Sequence, residues 1–133
     1  MNPKDLNVVF GENYRIDVAY KGFTVKTDQP VRDGGDGSAP SPFDLFLASL
    51  AACAGYYALA FCKERQIPTA GLAVTMITER GAVSKMIDKV TFEVVPPAGF
   101  PEKYRAALVK AVDHCTVKAH ILRPPQFEIV LKP

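Results

Sequence analysis

A chain of 133 residues, 48% hydrophobic and 23% charged, has the make-up of one folded domain. The apolar content excludes disorder, and a net charge of +2 argues against a nucleic-acid binder, which normally carries a clear basic excess. Three cysteines without repeated spacing exclude a disulfide-stapled miniprotein and read as free thiols of a reducing, cytoplasmic compartment.

The first ten residues, MNPKDLNVVF, have one basic side chain and no apolar run, so no leader is expected. Leu6, Val8 and Phe10 share one strand face, and Gly11-Glu12-Asn13 supplies a turn. Tyr14, Ile16, Val18 and Tyr20 alternate with polar or small neighbours, and after Lys21-Gly22 so do Phe23 and Val25. The pattern is an antiparallel meander with one buried face. Pro30 to Pro42 is a glycine- and proline-rich stretch without the Lys-Ser/Thr of a phosphate-binding loop, so it reads as a flexible connector.

Ser41 is an N-cap, Pro42 suits the first helical position, and Asp44 falls where a capping box places its acid. The helix then runs to about Arg65, with Lys63 and Arg65 at the negative end of its dipole. Within it, Leu45 to Cys62 is 18 residues without a charge, at the lower limit for a membrane span. Its alanines and glycine, the acidic N-terminal flank and the amphipathic strands around it favour a buried core helix and no membrane. Next come strands through Leu72, Val74 and Met76 and through Val90, Phe92 and Val94, joined at Gly81. Pro101 opens a second helix with Tyr104, Leu108, Ala111 and Cys115 on one face; His120 to Pro125 breaks it, and Phe127, Ile129 and Leu131 alternate in a final strand. The expected order is βββ-α-ββ-α-β, an α+β fold in a single domain over residues 1–133. Few elements remain to surround an apolar helix roughly 36 Å long. A second copy would cover it, so an intertwined homodimer with antiparallel sheets around long central helices is expected.

Cys53 lies mid-helix on the stripe Phe46, Leu50, Cys53, Tyr57 and Phe61. Cys62 points about 180° away and roughly 13 Å along the axis, so it cannot bond Cys53 within one straight helix. Cys115 faces Cys53 if the two helices pack. A zinc site built from Cys53, Cys115, His114 and His120 lacks any ligand spacing that supports it, and a Cys-His hydrolase fails because His114 and Cys115 are helix neighbours. Each buried cysteine taken alone reads as a small hydrophobe.

The segment GGDGSAPSPFDLFLASLAAC, followed 62 residues after Cys53 by Cys115 in VDHCTVKAHI, resembles the OsmC/Ohr family of bacterial hydroperoxide-reducing proteins. The resemblance covers nearly the whole chain. It implies that Cys53 is peroxidatic, that Cys115 resolves its sulfenic acid into a disulfide, and that an external dithiol, of the lipoyl type for example, restores both. It implies an apolar pocket of Phe46, Leu50 and Tyr57 for organic hydroperoxides, and a chemistry that needs no cofactor or metal. The Ohr branch uses an arginine from its first strands, for which Arg15 is the nearest candidate and Arg32 a second; Arg15 reads equally as a polar-face residue. Where that branch has a glutamate, this chain has Phe43; Asp44, one place on, matches the acid of other OsmC-like branches and reads equally as a cap. Thr116 replaces the usual proline after the second cysteine, and Cys62 reads as structural. Two other readings use the same cleft: a dimeric protein binding a small hydrophobic ligand, and a redox sensor.

Overall fold

The computed structural model describes residues 4–133; Met1 to Pro3, the start of the stretch read as lacking a leader, lie outside the described residues. The chain divides into two compact units, residues 1–48 and 49–133. In the first, β1 (Asn7–Phe10), β2 (Ile16–Tyr20) and β3 (Phe23–Thr27) form an antiparallel meander in the order β1-β2-β3. Val8, Val18 and Val25 align across the three strands, as do Phe10, Ile16 and Thr27. The β2–β3 hairpin turns on Lys21 and Gly22, both at positive φ, as a two-residue loop requires to match strand twist.

The buried face expected for this meander is not buried within the chain: Phe10 is 79% and Phe23 73% exposed. Nor is the glycine-rich stretch a free connector. The Gly37 amide donates to the Gln29 carbonyl (3.0 Å), and Asn13 Nδ2 donates to the Gly34 carbonyl (2.9 Å). At Gly35 a Cβ would lie 2.0 Å from the Gln29 carbonyl oxygen, so the loop closes only because that residue is glycine.

Helix α1 (Pro42–Glu64) starts at a reciprocal capping box. The Asp44 amide donates to Ser41 Oγ (3.1 Å), and the Ser41 amide donates to Asp44 Oδ2 (3.0 Å). It ends as a Schellman turn, with the Ile67 amide bonded to the Cys62 carbonyl (2.9 Å) and Gln66 at φ 55°.

The second unit holds the rest of α1, the antiparallel hairpin of β4 (Ala73–Arg80) and β5 (Ile87–Val95), and two short helices, α2 (Arg105–Asp113) and α3 (Thr116–Leu122). Register pairs Val74 with Val94 and Met76 with Phe92, which puts one face of the hairpin toward the core. That core is Ala54, Ala58 and Phe61 of α1 with Leu108 and Val112 of α2, and Leu72, Val74, Phe92 and Val94 pack against it. Alanine at 54 and 58 lets neighbouring segments of the chain approach the α1 backbone closely. By length and composition α1 could cross a membrane, yet here one stripe of it is packed as a core helix; the face carrying Tyr56 and Leu59 stays exposed.

Two expectations fail near the C-terminus. The second helix breaks at His114, not at His120, and residues 116–122 form α3. Residues 123–133 form no strand, and Ile129 and Leu131 are 98% and 95% exposed. Their alternation suits a strand, but in this chain they pair with no sheet edge. The observed order is βββ-α-ββ-α-α.

Candidate functional site

The site in the second unit grows from the break between α2 and α3. Helix α2 stops at Asp113, and Cys115 takes an extended conformation (φ −62°, ψ 120°) as the N-cap of α3. An N-cap side chain normally accepts from an otherwise unpaired first-turn amide. Here Cys115 Sγ does so, accepting from the Lys118 amide at 3.3 Å. The same first turn turns the Thr116 and Val117 amides toward Cys53 of α1, whose thiol also meets that of Cys115. Tyr57 Oη and Thr116 Oγ1 share a hydrogen bond of 2.9 Å that ties α1 to the start of α3.

These contacts divide the pair electrostatically. Burial pushes the Cys53 thiol up, but the Val117 amide, the Cys115 thiol and the Thr116 amide outweigh it and hold Cys53 below the usual cysteine range. Burial pushes Cys115 up; the Lys118 and Val117 amides oppose this, while the neighbouring Cys53 adds to it. Of the two thiols, Cys53 is therefore the more readily ionised. Cys53 is half-buried and Cys115 only 2% exposed. Cys62 is fully buried and raised by burial, with Arg65 opposing, which suits an unreactive core thiol.

A cavity of about 350 Å³ opens beside Cys115, walled by Phe92, Val94, Val109 and Val112 with Lys110 and Lys118 at its polar side. Of the residues expected to line a pocket, Leu50 is buried in the core and Phe46 stacks on Phe43 at 5.7 Å between centroids. Tyr57 lines a separate hollow of about 260 Å³ with Phe61, Ala111 and His114. His120 Nδ1 donates to the Thr116 carbonyl (2.7 Å), and Lys118 pairs with Asp113. Among the described residues no group of three or more His, Cys, Asp or Glu side chains is placed to hold a metal.

Arg15 and Asp44 belong to the first unit. Arg15 sits among carboxylates: Asp36 at 3.2 Å, Glu12 at 3.9 Å and Asp28 at 4.0 Å, and its Nε donates to Ser38 Oγ (3.2 Å). Asp28, which sequence reasoning passed over, is fully buried and organises this network. It accepts from Ser38 Oγ (2.6 Å), the Ser38 amide (3.0 Å) and the Gln29 amide (2.7 Å). Ser38's hydroxyl and amide hold the carboxyl at about 2. Arg32 is exposed and pairs with Asp33 at 3.8 Å. Asp44 is occupied as the α1 cap.

A family model for OsmC-like proteins matches residues 35–130. No curated protein matches the sequence. Among solved structures, the chain is similar to a Psychrobacter arcticus protein described as an osmotic stress induced and detoxification response protein: 22% identity, TM-score 0.70, 86% of this chain and 85% of that one covered. An OsmC-like protein of Mycoplasma pneumoniae matches at 16% identity and TM-score 0.64, over 90% and 86% of the two chains. A Legionella pneumophila organic hydroperoxide resistance protein matches at 20% identity and TM-score 0.55, over 88% and 87%. At these identities the likeness establishes the shared α+β fold.

Proposed function

The chain belongs to the OsmC-like family, and from that premise we propose that it is a thiol-dependent peroxidase reducing organic hydroperoxides through Cys53 and Cys115. The observation that carries this reading is the opposite perturbation of two thiols in contact, Cys53 lowered and Cys115 raised. A nucleophile and its resolving partner need that division.

The Cys53 thiolate attacks the terminal oxygen of the hydroperoxide. The O–O bond breaks, and the departing alkoxide takes a proton to leave as an alcohol, with Cys53 as sulfenic acid. The Cys115 thiol then attacks the Cys53 sulfur, its proton leaves with the hydroxyl as water, and the disulfide forms. An external dithiol reduces it and becomes a disulfide itself. The Thr116 and Val117 amides serve the first step, since they favour the Cys53 thiolate without placing a cation beside it. The apolar cavity by Cys115, walled by Phe92, Val94, Val109 and Val112, favours an organic over an inorganic peroxide.

The working form in this reading is a homodimer. The uncovered α1 face and meander are of the kind that obligate interfaces bury.

Steady-state consumption of cumene hydroperoxide with dihydrolipoamide or dithiothreitol tests the activity. Wild type turns over, with hydrogen peroxide a poorer substrate, and Cys53→Ser abolishes the reaction. Turnover that survives Cys53→Ser removes that residue as nucleophile; no turnover with either dithiol favours a ligand-binding protein that uses the same cavity.

A further inference from the structure

The Cys53–Cys115 disulfide of the proposed cycle offers two sulfurs to a reductant, and the two surroundings are not equivalent. The cavity of about 350 Å³ is lined by Cys115 and not by Cys53, and its volume is that of a small-molecule pocket. On the other side, Cys53 is the sulfur that receives the Thr116 and Val117 amides. Cys115 receives the Lys118 amide at 3.3 Å and shares the Val117 amide with Cys53, so the Thr116 amide is the one that Cys53 alone receives.

We propose that the reducing dithiol docks in the cavity walled by Phe92, Val94, Val109 and Val112 and attacks Cys115 Sγ, expelling Cys53 as the leaving thiolate. The inference rests on the peroxidase reading for the origin of the disulfide. In the first step one reductant thiolate forms an S–S bond to Cys115 as the Cys53–Cys115 bond breaks, and its electron pair goes to Cys53. In the second, the other reductant thiolate attacks its own sulfur in the mixed disulfide. Cys115 leaves and takes a proton, and the reductant departs as a cyclic disulfide.

Thiol–disulfide exchange is faster when the departing sulfur is the better-stabilised anion. Attack at Cys115 frees a thiolate that two amides receive at once. Attack at Cys53 would free a Cys115 thiolate only 2% exposed, which burial disfavours despite the Lys118 and Val117 amides. The direction of regeneration is therefore set by the deeper burial of Cys115 and by the Thr116 amide, which Cys53 alone receives. The walls of Phe92, Val94, Val109 and Val112 suit a dithiol on a hydrocarbon chain.

Oxidation by diamide prepares the Cys53–Cys115 disulfide without peroxide. Brief exposure to 2-mercaptoethanol, acid quench, blocking of free thiols and peptide mass spectrometry then locate the mixed disulfide. The expected product carries mercaptoethanol on Cys115 and the blocking group on Cys53, in excess of the reverse by about tenfold. Mercaptoethanol mainly on Cys53 overturns the proposal. Val109 stands at the cavity rim and is exposed, so Val109→Trp obstructs entry without disturbing the core. Reduction of its disulfide by dithiothreitol is expected to slow about tenfold, relative to Val83→Trp in the exposed β4–β5 turn; equal rates overturn the docking site. If diamide forms the disulfide but hydroperoxide does not, the peroxidase reading fails while the point of attack is still decided. If diamide forms no Cys53–Cys115 bond, both fail.

Discussion

Thr116 shows how much one position decides. At the first residue of α3 a proline is sterically welcome, because first-turn amides have no partner inside the helix. In this chain the amide is used: it bonds Cys53, while the Thr116 hydroxyl bonds Tyr57. Thr116→Pro removes both, and Thr116→Val removes only the hydroxyl. The pH midpoint of Cys53 alkylation by iodoacetamide is therefore expected to lie below that of a free cysteine in wild type. It rises in Thr116→Pro and stays close to wild type in Thr116→Val. Equal midpoints in wild type and Thr116→Pro contradict the role given to this amide.

Asp28 carries a second prediction at this scale. Its carboxyl is lowered from 3.8 to about 2, first by the Ser38 hydroxyl and then by the Ser38 amide. A depressed acid contributes stability that is fully present above its unfolded value and lost as pH falls through its folded value. Urea unfolding of wild type should therefore show stability declining between about pH 4 and pH 2, and Ser38→Ala should flatten that decline. Nothing in the local sequence marks Asp28 as buried; its setting depends on Ser38 returning to it across a ten-residue loop.

Among the elements, α1 is bounded at both ends by backbone chemistry. Gln66 closes it in a left-handed conformation that a side chain disfavours. Gln66→Gly should raise stability by about 1 kcal/mol in chemical denaturation, and Ser41→Ala, which breaks the capping box, should lower it by about 1 kcal/mol. These boundaries were legible because caps are local: Ser41, Pro42 and Asp44 lie within four residues of each other. The meander and the β4–β5 hairpin were legible for a similar reason, since alternation is a property of one strand. The α2–α3 break was not, because Cys115 keeps helical spacing from Ala111 while capping the next helix. The C-terminal strand expected at Phe127, Ile129 and Leu131 failed differently. Alternation reports what a segment could pair with, and the edge it needs is not supplied within this chain. Of the site, the two cysteines were legible as a pair, but the amides that separate their roles carry no sequence signal of their own.

For the whole molecule, the exposed apolar surface makes association the central physical expectation. Phe10 and Phe23 of the meander, Tyr56 and Leu59 of α1, and Ile129 and Leu131 of the C-terminal segment are all uncovered. The chain should sediment as a dimer at micromolar concentration, and Ile129→Lys with Leu131→Lys should weaken it. A stable, soluble monomer of the wild-type chain would contradict the dimer.

The central claim is a division of labour between two thiols, and stoichiometric oxidation tests it most directly. One equivalent of cumene hydroperoxide added to the reduced protein, without any reductant, should lower the intact mass by two hydrogens. Peptide mapping should then place the new bond between Cys53 and Cys115 and leave Cys62 free. A disulfide that includes Cys62, or Cys53 driven to sulfinic acid with Cys115 still reduced, would contradict it.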